Sequence, residues 1–301
     1  MKIVLYCQHV LGIGHFFRTL EISRALSRHE VILVSGGPAA DTVLPEHVQE
    51  VRLPEIQMGR DFKGLFTSAQ NITLDQVKQE RQRRLFTVFE QAAPDLFIVE
   101  LYPFGRKAFR FELDPILLAI RNNQFSACRV VCSLRDILVE KENNAKHEMR
   151  VINTLNSLFD AVLVHSDPKL CRIEETFTRT GDIGVPIVYT GFITPRPPAN
   201  ARRILREQLG LGVADLFIVA SAGGGNVGAP LLEAVIKAVP RIPTPKPLHL
   251  RVFTGPLMDP NDSDRLKRMA GRRIVVRQFT RDFLAYLAAA DLSVSMAGYN
   301  T

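Results

Sequence analysis

Apolar residues fall along this chain in two patterns, short continuous runs and longer stretches with apolar residues three or four positions apart. The first pattern predicts buried strands and the second predicts helices. Strands are predicted at 2–6, 30–35, 48–53, 96–99, 129–133, 161–164, 187–190, 216–221, 248–253, 273–277 and 291–295. Helices are predicted at 16–26, 74–93, 141–158, 201–209, 230–239, 263–270 and 282–290, and residues 55–72 are predicted as a long loop. Strands alternating with helices predict an α/β fold with parallel sheets.

The first predicted strand runs into a tight glycine-histidine turn, Gly12-Ile13-Gly14-His15, before the first helical pattern begins. Ligands of open α/β sheets bind at this end of a strand, because N–H groups at the start of the following helix face outward. The dinucleotide fingerprint G-x-G-x-x-G is incomplete, since Phe17 fills its last position, and this disfavours a dinucleotide cofactor. His15 is either a packing or capping residue at the helix start or a ligand-binding or catalytic residue.

Polar residues stand at the ends of three consecutive predicted strands between residues 96 and 167. They are Glu100, the group Ser133, Arg135 and Asp136, and the pair His165 and Asp167. Solvation of loops explains many such residues, but carboxyl ends of parallel strands meet at one edge of a sheet. We therefore expect Glu100 to face the same crevice as His15.

A proline-rich segment, 191–198, separates two similar halves of the sequence. The expected organisation is a domain at 1–190, a linker at 191–199 and a second domain at 200–301. The second half repeats the strand, glycine loop and helix, with glycines whose N–H groups can approach an anion. A flexible hinge is the alternative interpretation of this loop. The last predicted strand has no covering helix, so we expect the second domain to be incomplete and the natural chain to continue.

Length, charge and cysteine content limit which classes of protein and which kinds of partner are expected. The chain has 301 residues, 46% of them apolar, and a formal net charge of +7. This length suits about two domains, and the basic excess favours anionic ligands or a phospholipid surface. No nucleic-acid module signature occurs, and no apolar run approaches a membrane span. Four cysteines without a C-x-x-C pair fit a reducing, cytoplasmic setting, with peripheral contact at the inner face of a membrane left open.

Three segments together resemble GT-B glycosyltransferases of family 28, which include the peptidoglycan lipid-intermediate N-acetylglucosaminyltransferase and plant galactolipid synthases. The turn at Gly12–His15 resembles their N-terminal turn, and Gly12-x-Gly14-His15-x-x-Arg18 is also similar to nucleotide-sugar hydrolases of the same fold. Residues 221–226 look like the loop that opens the donor domain. Residues 295–301 resemble the start of the donor signature Ser-x-x-Gly-x-x-Thr. The resemblance implies two Rossmann-like domains, the second one incomplete here.

The same resemblance implies transfer of a hexosyl group from a nucleotide diphosphate sugar, with a UDP-linked donor favoured, inversion at the sugar, and no metal or other cofactor. His15 is the first candidate for the general base and Glu100 the second. Gly12, Gly14 and Arg18 would form the acceptor and phosphate loop. Phe279 either flanks the nucleotide base or packs as a core aromatic residue. The implied donor-binding residues are Gly223, Gly224, Gly225, Asn226, Phe279, Ser295, Gly298, Asn300 and Thr301.

Three other functions remain open at this stage. A nucleotide-sugar hydrolase would use the His15 turn with water as the acceptor, and an epimerase would release an isomer or free sugar. A non-catalytic module would bind the nucleotide without turnover. The expected partners are a nucleotide-sugar donor and an acceptor of unknown identity, either lipid-linked or a small metabolite, and no nucleic acid is expected.

Overall fold

The computed structural model describes residues 1–8, 14–37, 42–58, 64–67, 72–135, 144–225 and 227–296. The chain forms two compact units, Met1–Thr194 and Pro195–Thr301, called here the N-terminal unit and the C-terminal unit. The division lies inside the proline-rich segment 191–198. None of the described helices has both the length and the apolar character needed to cross a membrane.

The N-terminal unit is built on a parallel sheet. In chain order, the strands of this unit are β1 (Lys2–Gln8), β2 (Glu30–Gly36), β3 (Val48–Arg52), β4 (Gln57–Met58), β5 (Leu65–Phe66), β6 (Leu96–Glu100), β7 (Arg129–Arg135), β8 (Ala161–His165) and β9 (Ile187–Tyr189). The described strands of the main sheet follow the order β3-β2-β1-β6-β7-β8-β9, and every neighbouring pair is parallel. All carboxyl ends therefore lie at one edge, where β1 and β6 are neighbours.

Helices cover both faces of this sheet. They are α1 (Gly14–Ala25), α2 (Leu74–Ala92), α3 (Arg110–Arg121) and α4 (Asn144–Leu158). Successive residues of β1 enter different cores: Val4 and Tyr6 pack with the cluster that includes α2, α3 and α4, while Leu5 packs with Phe16 of α1. A central strand buried on both faces explains why β1 is apolar without alternation.

Two features of the N-terminal unit differ from the sequence prediction. The segment 55–72, predicted as a loop, contains β4 and β5, which pair antiparallel; residues 59–63 and 68–71 lie outside the described residues. Helix α3 was not predicted, and it carries Pro115 in its interior. Proline inside a helical pattern normally argues against a helix, but Leu113, Ile116 and Leu117 bury this one against the sheet. The packing outweighs the local preference.

The C-terminal unit repeats the arrangement around a smaller parallel sheet. Its strands are β10 (Leu216–Ser221), β11 (Leu248–Phe253), β12 (Ile274–Arg277) and β13 (Leu292–Ser295), in the order β12-β11-β10-β13 as described. Its helices are α5 (Ala201–Gln208), α6 (Ala229–Ala238), α7 (Pro260–Arg268) and α8 (Phe283–Ala289). Ile218 and Ala220 of β10 pack on the face that α6 and α7 cover, while Phe217 and Val219 pack on the other face.

Candidate functional site

The first strand and the strand beside it place two predicted residues together in the N-terminal unit. His15 is the second residue of α1, which follows β1, and Glu100 is the last residue of β6. Since β1 and β6 are parallel neighbours, both positions lie at the carboxyl edge of the sheet. The expected proximity of Glu100 and His15 is confirmed, because the two side chains are in contact.

The contact between His15 and Glu100 fixes the orientation of the imidazole. The Nδ1 atom of His15 lies 2.6 Å from Oε1 of Glu100. A carboxylate only accepts hydrogen bonds, so Nδ1 carries a proton, and in the neutral imidazole the lone pair is on Nε2. The side chain of Glu100 is 2% exposed, whereas that of His15 is 24% exposed. The imidazole can therefore meet a ligand while its partner stays buried.

Two guanidinium groups hold the same carboxylate. Nη2 of Arg18 lies 3.0 Å from Oε1 of Glu100, and Nε of Arg106 lies 3.3 Å from Oε2. Burial raises the pKa of Glu100, but Arg106, His15 and Arg18 together lower that pKa to about 2. Glu100 is thus a carboxylate at neutral pH and a very weak base. Its chemistry suits orienting His15 better than taking a proton from a hydroxyl.

A second histidine lies at the carboxyl ends of the next strands. Nε2 of His165 is 2.7 Å from Oγ of Ser133, and its Nδ1 is 2.8 Å from Oγ1 of Thr190. The hydroxyl of Thr190 donates to the carbonyl oxygen of Gly191 at 3.1 Å. It therefore accepts from Nδ1, and Ser133 donates to Nε2. Burial, followed by the charge of Arg18, lowers the pKa of His165 to about 4, although Glu100 opposes this. His165 is neutral at physiological pH.

Sequence reasoning missed several of these residues. Arg106 lies in the loop that follows Glu100, and an arginine close to the proline and glycine at this strand end is the signal that could have found it. Ser133 and His165 were recognised only as polar strand ends, and neither was assigned to the site. The hydrogen bond that joins them spans 32 positions in sequence, and such a pairing has no local signature.

A buried ion pair lies close to β1 at this edge of the sheet. Arg81 interrupts the apolar stripe of α2, and both its side chain and that of Glu112 are fully buried. The Nε atom of Arg81 donates to Oε2 of Glu112 at 2.8 Å, and Nη1 donates to the carbonyl oxygen of Pro54 at 2.7 Å. Nη2 donates to Oε1 of Gln8 at 2.6 Å. Because these donors of Arg81 are paired with acceptors of the protein, we infer that the cluster supports the fold and does not bind a ligand.

The C-terminal unit presents its glycine loop at the carboxyl end of β10. Gly223 and Gly225 have φ values of 63° and 93°, which favour glycine. A Cβ atom on Gly225 would lie 2.6 Å from the carbonyl oxygen of Thr254, so this glycine is required for close packing. A Cβ atom on Gly223 would meet nothing within 4 Å, which leaves the outer part of the loop open. Helix α6 begins directly beyond the loop at Ala229.

The remaining predicted donor residues separate into described and undescribed ones. Ser295 ends β13 and pairs in register with Ser221, the last residue of β10. Phe279 is 64% exposed, so its interpretation as a core aromatic residue is wrong. Gly14 begins α1. Gly12, Asn226, Gly298, Asn300 and Thr301 lie outside the described residues. Among the residues that are described, no group of three or more His, Cys, Asp or Glu side chains could hold a metal ion.

No protein-family model matches this chain, and no curated protein matches it. Solved structures do resemble it. A glycosyltransferase from Rickettsia africae has a TM-score of 0.56 and 11% identity, over 97% of this chain and 72% of the other. A UDP-glucosyltransferase from Polygonum tinctorium has a TM-score of 0.60 and 14% identity, over 99% and 76%. S. aureus MnaA, solved with UDP, has a TM-score of 0.56 and 15% identity, over 99% and 74%.

These similarities confirm the predicted fold class. The chain is α/β with parallel sheets, and its two Rossmann-like units have the GT-B architecture.

Proposed function

We propose that this protein is an enzyme that transfers a hexosyl group from a UDP-linked sugar to an acceptor hydroxyl, with inversion at the sugar carbon. The observation that carries the proposal is the 2.6 Å contact between Nδ1 of His15 and Glu100 at the carboxyl edge of the sheet. It leaves Nε2 free to act as a general base on a partly exposed face. The fold shared with a UDP-glucosyltransferase and with a UDP-bound protein supports the choice of donor.

The proposed step is a single displacement. Nε2 of His15 takes the proton of the acceptor hydroxyl while the acceptor oxygen forms a bond to the anomeric carbon. The bond from that carbon to the diphosphate oxygen breaks, and its electron pair leaves with UDP. The imidazolium that forms is stabilised by the adjacent carboxylate of Glu100, which remains ionised because its pKa is about 2. Attack from the face opposite to the leaving group inverts the configuration.

The C-terminal unit is proposed to bind the donor. The N–H group of Gly223 donates to Oγ of Ser221 and shapes the loop. The exposed N–H of Gly224 and the start of α6 are proposed to bind the diphosphate and to neutralise its developing charge without a metal. The exposed ring of Phe279 follows β12 and is available to stack on the nucleotide base. Membership of family 28 belongs to the same proposal, and it rests on the turn at Gly12–His15 and on residues 295–301.

A donor screen tests this proposal on the full chain. UDP-, GDP- and TDP-sugars are compared by thermal shift, and nucleotide release is measured with and without a panel of hydroxyl acceptors. We expect UDP-sugars to raise the melting temperature and to release UDP faster when an effective acceptor is present. Release that is independent of every acceptor, with free sugar as the product, would identify a hydrolase instead. Binding without any release would identify a non-catalytic module.

A further inference from the structure

The loop that links β6 to α3 has an unusual backbone. Leu101 and Arg106 have φ values of 63° and 55°, in the left-handed region that residues other than glycine rarely adopt. Such conformations persist only where the surrounding structure enforces them, and they concentrate at functional sites. Both residues lie close in sequence to Glu100, which makes this loop part of the candidate site.

Buried aromatic side chains hold the loop in this conformation. Tyr102 is 2% exposed, and its hydroxyl donates a hydrogen bond to Asp114 of α3. Phe104 is 3% exposed and packs edge-on against Phe177, with ring centroids 5.2 Å apart. The loop is therefore fixed on both sides, and it holds the side chain of Arg106 against the carboxylate of Glu100. Because the loop is already ordered, binding of a ligand at Arg106 has a low entropic cost.

The guanidinium of Arg106 keeps donor capacity that the described residues do not use. Nε contacts Oε2 of Glu100, and the side chain is only 11% exposed. Nη2 is buried and has no hydrogen-bond partner among the described residues. An unsatisfied buried donor is costly, and a charged one more so. A ligand that supplies an acceptor oxygen would remove this cost.

The charge of the cluster indicates what kind of ligand fits. Arg18 and Arg106 bring two positive charges to the single negative charge of Glu100, so these three groups carry a net positive charge. In the proposed reaction His15 also gains a proton and adds a further positive charge. An anionic group near Arg106 would offset this charge, and a guanidinium binds carboxylate or phosphate oxygens well.

We propose that Nη2 of Arg106 binds an anionic group, a carboxylate or a phosphate, carried by the acceptor whose hydroxyl meets His15. This proposal rests on the proposed function, because it names the class of acceptor for the same site. His15 and Arg106 hold opposite oxygens of the same carboxylate, so a molecule that reaches one is positioned to reach the other. The diphosphate of the donor is the other possible source of the anion.

The test follows the imidazole signals of the full chain by NMR, with the His15 signal assigned from its loss in His15→Gln. Inorganic phosphate and acetate are titrated separately, with sodium chloride at matched ionic strength as the salt control. We expect at least one anion, and not chloride, to shift the His15 signal along a saturable curve. Arg106→Gln should weaken that binding by at least about tenfold, as expected when a charged hydrogen bond is lost.

Two further variants and one further ligand separate the outcomes. Arg106→Lys keeps the charge without the forked geometry and should bind the anion with intermediate affinity, while Arg83→Gln on the exposed face of α2 should bind it as the wild type does.

Saturating UDP should leave the response of the His15 signal to the anion in place. Loss of the response in UDP, together with weaker UDP binding by Arg106→Gln, would assign the anion to the donor and overturn the proposal. The absence of any specific shift, or equal binding by Arg106→Gln, would also overturn it. No sugar transfer enters this assay, so its failure is distinct from failure of the proposed function.

Discussion

The N-terminal unit builds its candidate site from buried charged side chains, whereas the C-terminal unit builds its own from exposed backbone. In the first, the carboxylate of Glu100 contacts His15, Arg18 and Arg106. In the second, the backbone of Gly223 and Gly224 is exposed in the loop that precedes α6. The difference matches two chemical tasks, since moving a proton needs a titratable group with a set orientation, while binding a diphosphate needs several fixed dipoles.

The largest expected effect comes from removing the buried carboxylate. Glu100→Gln would leave Arg18 and Arg106 beside a neutral amide, and breaking a buried ion pair in this way costs roughly 3–5 kcal/mol. Chemical denaturation monitored by circular dichroism at pH 7 would measure this loss. Glu80→Gln, which breaks ion pairs on the surface of α2, should leave the midpoint nearly unchanged. Equal midpoints for both variants would contradict the role given to buried charge.

Acid should destabilise the N-terminal unit through His165. Its folded-state pKa of about 4 lies below the unfolded value near 6.5, so the unfolded chain binds the proton more strongly. Stability is therefore lost as the pH falls from about 6.5 to about 4, by roughly 3 kcal/mol for this group alone. His165→Gln should remove this part of the pH dependence in urea unfolding curves. His147→Gln, on α4, should keep this pH dependence. A pH profile of His165→Gln that runs parallel to that of the wild type would refute the explanation.

In the C-terminal unit, the stability of the protein should fall strongly when a methyl group is added at Gly255 and only slightly when one is added at Gly223. A Cβ atom on Gly255 would lie 2.4 Å from the carbonyl oxygen of Gly223, and its φ of 87° disfavours alanine. Gly255→Ala should destabilise the protein by roughly 2–3 kcal/mol. Gly223→Ala meets open space and should lose only about 1 kcal/mol, from its backbone conformation. Thermal unfolding of the pair measures the contrast, and similar losses would show that the packing argument fails.

The smallest expected effect on folding comes from the exposed aromatic residue. Phe279→Ala should leave the melting temperature unchanged, because the ring is 64% exposed. UDP binding, measured by calorimetry, should weaken by about tenfold if the ring stacks on the base. Phe192→Ala, which removes another exposed ring, should not change UDP affinity. Unchanged affinity in Phe279→Ala would place the base elsewhere.

The sequence predicted features that depend on neighbouring positions. The strand, the turn and the helix around His15 share one stretch of chain, and the position of Glu100 follows from the rule for parallel strand ends. The sequence did not predict the contact between Arg106 and Glu100. That contact depends on two residues with positive φ and on the packing of Phe104 against a phenylalanine far away in sequence. The pairing of Arg81 with Glu112 likewise has no local signature, because the two residues lie 31 positions apart.

The central claim is that Nε2 of His15 takes the proton of the acceptor. The most direct measurement compares UDP release from a UDP-sugar, in the presence of an effective acceptor, by the wild type, His15→Gln and the control His147→Gln, with UDP affinity measured for each. The claim predicts that His15→Gln loses at least about 100-fold in turnover while UDP affinity is kept and His147→Gln matches the wild type. Wild-type turnover by a folded His15→Gln protein would contradict it.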